Sequence, residues 1–161
     1  MCGPFRFLAL AALLLAAAGC DAGDADDNNN GDPCVITNDQ LEALASLFNC
    51  DVTALRFGDP ESGSLSSADC TFPSDVTNQS HIDYYGFCLS APADVVVTME
   101  TSDFEPQLWY FDEDGRVLYS DTGDEEVVLT LSLEAGVHVV GANSNTTDPV
   151  TGSYTIELTE E

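Results

Sequence analysis

The chain has 161 residues, which is enough for one domain with a hydrophobic core. It carries 29 acidic residues against three basic ones, so its formal net charge is −26 at pH 7. A surface of this sign repels phosphate, which excludes nucleic-acid binding that depends on electrostatic attraction. The composition is compatible with two roles for the acidic residues: general solvation of the surface, or the formation of one or more cation sites.

The N-terminal segment has the pattern of a bacterial lipoprotein signal. An apolar run at residues 7–18 follows Arg6 and ends in small residues just before Cys20. The run is shorter than the roughly 20 residues that a membrane-spanning helix needs. We therefore predict a signal peptide over residues 1–19, a lipid on Cys20, and a place in the cell envelope on the periplasmic or outer face of a bacterial membrane. The alternative is an ordinary cleaved signal followed by a chance cysteine.

Residues 20–33 form an acidic segment with few apolar side chains. Such a composition buries too little surface to order itself. We predict a flexible tether that spaces the domain from the bilayer.

Four further cysteines are expected in the exported part of the chain. An even number in an oxidising compartment predicts two disulfides, and three pairings are open. The sequential pairing would close two short loops. A zinc site is disfavoured because no Cys-x-x-Cys spacing occurs. The four residues are Cys34, Cys50, Cys70 and Cys88.

Residues 38–49 are the helical candidate. Leu41, Leu44, Leu47 and Phe48 recur at helical spacing and form one apolar stripe. Thr37 or Asn38 can cap the first turn. We expect this helix, within a disulfide-stapled segment 34–51, to pack on a sheet.

From residue 52 onward the apolar period changes to two, which is typical of half-buried strands. The fold class predicted is all-β: an antiparallel, jelly-roll-like β-sandwich of about eight strands over residues 52–161, with one short N-terminal helix. The predicted strands are Thr53–Phe57, Ile82–Leu89, Val95–Thr101, Gln107–Phe111, Arg116–Ser120, Val127–Leu133, Val137–Ala142 and Tyr154–Thr159.

An acidic stretch between two of these strands is the best candidate for a cation site. Asp112–Gly115 has the composition of a hairpin turn with glycine at the positive-φ position. Carboxylates at two successive strand ends could supply the oxygen ligands of calcium, which we consider as a cofactor. Solvated turns explain the same residues and are the commoner case. The calcium ligands would be Asp112, Asp114, Asp121 and Asp124.

Two adjacent aromatic residues suggest a ligand-binding surface. Trp109 and Tyr110, with Tyr84 and Tyr119 elsewhere in the chain, could form a platform for sugar or protein. Alternation along a strand puts Trp109 and Tyr110 on opposite faces, and one of these faces must be core.

The order of motifs after residue 60 resembles one bacterial family. The motifs are DYYGF at 83–87, SDFEPQLWYFD at 102–112 followed by Gly115, LEAG at 133–136 and GSYTI at 152–156, with the segment from Gly63 to Asp69 resembling the family's opening strand. The family is the pre-peptidase C-terminal (PPC) domain, and the resemblance covers about residues 52–159. It departs from the family's pattern at Val137-His138, where an aromatic residue commonly follows the Ala-Gly turn.

The resemblance implies a non-catalytic β-sandwich. It also favours a Cys70–Cys88 bridge, because these cysteines flank the opening of the domain. We find no His-Glu-x-x-His or Gly-x-Ser-x-Gly motif, and we expect His81 and His138 to be surface or boundary residues rather than catalytic ones.

We therefore expect no enzyme, and instead a lipid-anchored module that contacts an extracellular protein, a polysaccharide or a partner envelope protein. The alternatives are an accessory subunit that assists a separately encoded secreted hydrolase, and a calcium-stabilised structural module. Genomic neighbourhood would separate the first alternative from the binding role.

Overall fold

The computed structural model describes residues 34–72 and 79–161. The predicted signal peptide at 1–19, the lipid site Cys20 and the tether at 20–33 lie outside the described residues. Within the described part, no helix has the length and apolar character to span a bilayer.

The described chain forms one helix and ten strands. The helix α1 runs over Asn38–Phe48, and the strands, in chain order, are β1 Val52–Ala54, β2 Glu61–Leu65, β3 Cys70–Thr71, β4 His81–Leu89, β5 Ala93–Glu100, β6 Pro106–Phe111, β7 Val117–Thr122, β8 Glu126–Leu133, β9 Gly136–Ser144 and β10 Gly152–Glu160.

The strands form two sheets, which confirms the all-β sandwich. The first sheet has the order β1-β4-β9-β6-β7, with β3 also paired to β4, and the second has the order β2-β10-β5-β8. All pairs are antiparallel except β1 with β4, which is parallel. The eight strands predicted from the apolar period omit two of these ten. They omit β2, a Ser- and Gly-containing strand that only the family resemblance at 63–69 suggested, and β3, which has two residues and is too short to show a period of two.

The main core lies between the two sheets, where alternate side chains of each strand point inward. Most of its side chains are apolar, and the fully buried ones include Val95, Val97, Val140, Ile156 and Leu158. Inward and outward residues alternate strictly along β8, as its sequence predicts.

The helix covers the outer face of the first sheet and creates a second, smaller core. A capping box between Thr37 and Gln40 fixes its start. At its other end, the Phe48 ring lies 4.4 Å from the Tyr84 ring and 5.2 Å from the Phe111 ring, between centroids. Leu41, Leu44 and Phe48 are half-buried and Leu47 is exposed, so the packed stripe of the helix is narrower than the sequence pattern suggests.

The disulfide pairing in the structure differs from the sequential pairing that the sequence favoured, so that prediction is wrong. Cys34 is bonded to Cys88 and Cys50 to Cys70, whereas the sequential pairing would join Cys34 to Cys50 and Cys70 to Cys88. The helical segment is therefore held at both ends, but each end is fixed to a strand of the first sheet rather than to the other end. The sequence could not show this because the helix lies across strands that are distant from it in the chain. Two disulfides indicate an oxidising, extracytoplasmic compartment.

Candidate binding surface

Strand β7 forms an open edge of the first sheet. It pairs with β6 and is the last strand in the sheet order. All six of its residues are exposed, which holds for no other strand in the described ranges. Three of them are large and apolar: Val117, Leu118 and Tyr119, of which the last two are 50% and 61% exposed. An exposed apolar edge strand is a site where another chain can pair.

A β-bulge lies in the middle of this apolar run. Tyr110 pairs with Tyr119, but Phe111 pairs with Val117, so Leu118 is an additional residue without a partner on β6. A bulge bends the strand and increases its twist. Leu118 is thus presented at the point where the edge bends.

The hairpin that leads into β7 is built by Asp112. Its Oδ1 accepts hydrogen bonds from the backbone N–H of Asp114, at 3.0 Å, and of Arg116, at 2.7 Å. Gly115 has φ 76°, the left-handed conformation that glycine adopts without strain. Arg116 also forms an exposed ion pair with Asp114, with Nη1 and Oδ2 2.9 Å apart. These contacts are the turn chemistry expected of an Asp-Gly hairpin.

The far end of β7 carries a second group of acidic residues. Asp121 Oδ1 accepts a hydrogen bond from the backbone N–H of Thr122. Asp124 and Glu125 are exposed in the turn to β8, and Glu126 is exposed as the first residue of that strand. Within residues 34–72 and 79–161, no three carboxylate, histidine or cysteine side chains are arranged to hold a metal ion. The structure therefore places Asp112, Asp114, Asp121 and Asp124 near the two ends of β7 without gathering them into a calcium site.

The predicted aromatic platform is not formed by Trp109 and Tyr110. Tyr110 is only 8% exposed and belongs to the main core, where its hydroxyl lies 3.0 Å from His138 Nδ1. Trp109 is half-buried against the Phe72 ring, with centroids 4.5 Å apart, and its Nε1 is buried with no hydrogen-bond partner within residues 34–72 and 79–161. The aromatic residue that reaches solvent is Tyr119, which stacks on Tyr110.

A polar network connects the two sheets inside the sandwich. The Tyr154 hydroxyl on β10 donates to the Asp83 carboxylate on β4 and lies 2.8 Å from the Tyr85 hydroxyl. Since the Tyr154 proton is directed to Asp83, Tyr85 is the donor to Tyr154. Burial raises the pKa of Asp83, against the opposing effect of the hydrogen bond from Tyr154, and burial raises the pKa of Tyr85 to about 12. A Cβ on Gly63 would lie 2.3 Å from the Tyr154 ring, so glycine is required beneath it.

Of the two histidines, His81 is buried and His138 is half-buried within the fold. Nε2 of His138 donates to the Glu134 carbonyl oxygen at 2.9 Å, which leaves Nδ1 to accept from Tyr110. Burial lowers the pKa of His138, so the neutral ring that this arrangement needs is favoured. His81 is buried, and its Nδ1 has no hydrogen-bond partner among the residues that the structure describes. Because both nitrogens of His138 are engaged in the fold, that ring is not free to act as a base.

The fold matches known structures. The fold resembles the pre-peptidase C-terminal domain of a collagenase from Bacillus anthracis, with a TM-score of 0.50 and 11% sequence identity. The match covers 67% of this chain and 94% of the collagenase domain. The fold is that of a PPC domain. The resemblance read from the sequence motifs is thereby confirmed at the level of the fold.

A second match is PliG of Aeromonas hydrophila, a periplasmic inhibitor of g-type lysozyme, with a TM-score of 0.41, 12% identity and coverage of 66% of this chain and 96% of the other. A scan against models of protein families and a search of curated proteins find no match to this sequence.

Proposed function

We propose that the protein is a non-catalytic binding module, held at a bacterial membrane by a lipid on Cys20, that contacts an extracellular protein or polysaccharide through strand β7. The observation that carries the proposal is the exposure of Val117, Leu118 and Tyr119 on an open sheet edge. Exposed apolar side chains on an edge strand favour aggregation, and native proteins usually cover or charge them. A partner that covers this strand accounts for their presence.

The composition of the strand suits a contact surface. Tyrosine is enriched at protein interfaces because it combines a large apolar ring with a polar hydroxyl, and Tyr119 presents both to solvent. The rigid support also suits this role, because Tyr119 rests on Tyr110 of the core. Binding through a surface already held in place loses little conformational entropy.

The lipid anchor is tested by fractionation. The full chain and a Cys20→Ala variant are expressed in a bacterial host, and the membrane and soluble fractions are compared. We expect the unsubstituted protein in the membrane fraction and the variant in the soluble fraction. Equal membrane association of both would refute the anchor.

The contact surface is tested by crosslinking in cells. A photoreactive amino acid replaces Leu118 in one variant. In the other variant it replaces Ser62, which is exposed on β2, an edge strand of the second sheet. We expect a discrete adduct from position 118 and none from position 62. Adducts from both positions alike, or from neither, would contradict a binding role for β7. If the adduct contains a secreted hydrolase, the accessory-subunit role is the form that the binding function takes.

A further inference from the structure

The backbone of β7 offers hydrogen-bonding groups on its outer side. In the described chain, its ladder partner is β6 alone, so the N–H and C=O groups that point away from β6 have no strand partner; one N–H of β7, that of Thr122, is bonded to the Asp121 carboxylate. An extended peptide can add to such an edge as a further strand, with backbone hydrogen bonds supplying affinity and side chains supplying selectivity. Six residues of β7 correspond to a peptide of similar length, about 20 Å when extended.

The charge around β7 selects the partner. From Asp112 to Glu126 the chain has seven carboxylates, grouped at the two ends of the strand, and one cation, Arg116. Asp112 is half-buried and the other six are exposed. The guanidinium of Arg116 is already paired with Asp114. An occupant of β7 therefore meets an apolar centre flanked by negative charge on both sides.

A second copy of this chain does not fit that pattern. Each copy carries a formal charge of −26, and an antiparallel pair of β7 strands would place the acidic hairpin of one copy beside the acidic turn of the other. Like charges placed opposite one another destabilise a strand pair. Anionic polymers are repelled for the same reason.

We propose that β7 binds an extended polypeptide segment with an apolar centre and basic ends, which adds to the first sheet as a further strand. This inference rests on the proposed binding function and names the class of partner. Charge complementarity steers the basic ends to the two acidic groups. Val117, Leu118 and Tyr119 then contact the apolar centre while the outer backbone groups of β7 pair with the segment.

The test uses the full mature chain and synthetic peptides. The probe is an eight-residue peptide with two lysines at each end and alternating valine and threonine between them. One control peptide replaces every lysine with glutamate. A second keeps the lysines but carries an N-methyl group on each central amide, which removes the backbone donors while retaining charge and side chains. Binding is measured by fluorescence anisotropy at low salt, and hydrogen exchange reports protection of the amides of β7.

Two protein variants separate the edge from the overall charge. Leu118→Lys places a cation in the middle of the apolar run of β7, and Val128→Lys makes the same charge change at a residue that is 41% exposed on β8, an edge strand of the second sheet. Both sites are exposed, so we expect melting temperatures within 2 °C or so of the unsubstituted protein. A melting temperature much lower than this in either variant would remove it from the comparison, and the peptide series would then decide alone.

We expect the lysine peptide to bind and to protect the amides of β7. Leu118→Lys should weaken this binding at least tenfold, and Val128→Lys less than threefold. The glutamate and N-methyl peptides should bind at least tenfold more weakly than the lysine peptide.

Equal binding of the N-methyl peptide would overturn strand addition, and equal weakening by the two variants would show that net charge alone attracts the probe. Absence of binding to every peptide, together with a discrete crosslink from position 118 in cells, would overturn the basic segment as partner and leave the binding role of β7 intact.

Discussion

The disulfide pairing makes a quantitative prediction about stability. Cys34 and Cys88 are 54 residues apart, and Cys50 and Cys70 are 20 residues apart. In the chain-entropy model, loops of these lengths correspond to about 4 and about 3 kcal/mol of stabilisation, respectively. Because the shorter loop lies inside the longer one, these values are upper bounds when both bonds are present. Removing the longer loop should therefore cost more than removing the shorter one.

The assay uses chains that begin at Asp21 and so contain four cysteines. Cys34→Ala/Cys88→Ala should lower the melting temperature by roughly 10–15 °C. Cys50→Ala/Cys70→Ala should lower it by a smaller amount. Each double variant should contain no free thiol when titrated with a thiol reagent in denaturant, because it removes one complete bond and leaves the other.

Two free thiols in either double variant would refute the pairing, since the sequential pairing predicts this result for both. A larger loss of stability from the 50–70 pair would refute the loop-length argument while leaving the pairing intact. A single variant, Cys88→Ala, is the matched control. It should expose one free thiol, that of Cys34.

Three further predictions concern the polar network and the acidic surface. Tyr154→Phe should lower the free energy of unfolding by about 2–3 kcal/mol in urea titrations, because Asp83 and Tyr85 both lose their partner; a loss below about 0.5 kcal/mol would mean that water replaces the hydroxyl. Asp83→Asn should flatten the pH dependence of stability. Burial raises the pKa of Asp83, so the folded protein binds more protons than the unfolded chain. The stabilising contribution of Asp83 is therefore present below its ordinary pKa of 3.8 and is lost as pH rises through the raised pKa. Parallel pH profiles of the variant and the unsubstituted protein would contradict this. Sodium chloride and calcium chloride at matched ionic strength should raise the melting temperature alike, by screening the 29 acidic residues; a rise specific to calcium would support a cation site at 112–126.

The sequence predicts those parts of the fold that local patterns determine. The alternation along Val127–Leu133 and the Asp-Gly turn at 112–115 depend on neighbouring residues alone, and both are present in the structure. The capped helix at 38–48 is likewise a local feature. The disulfide pairing depends on which strands the helix crosses, and no local pattern contains that information.

The candidate surface is only partly readable from the sequence. The run from Arg116 to Ser120 predicts a strand, and Tyr119 within it is one of the aromatic residues considered for a binding platform. Exposure arises because β7 is last in the sheet order, which depends on strand pairing across the whole domain. The signal in the sequence is the position of this apolar run between two acidic turns. Conversely, Tyr110 looks like a ligand contact in the sequence and is buried, because β6 lies in the interior of its sheet.

The acidic charge at the two ends of β7 bears both on self-association of this edge and on its proposed binding role. Proteins often protect edge strands with lysine, but this chain contains no lysine and has acidic residues at both ends of β7 instead. Either sign of charge prevents pairing between identical copies, since each copy repels the next. Acidic ends differ from basic ones in the partner that they admit, because a basic segment is attracted where a second copy is rejected. In the proposed binding role, the carboxylates that oppose self-association of the exposed run of Val117, Leu118 and Tyr119 would also select the partner.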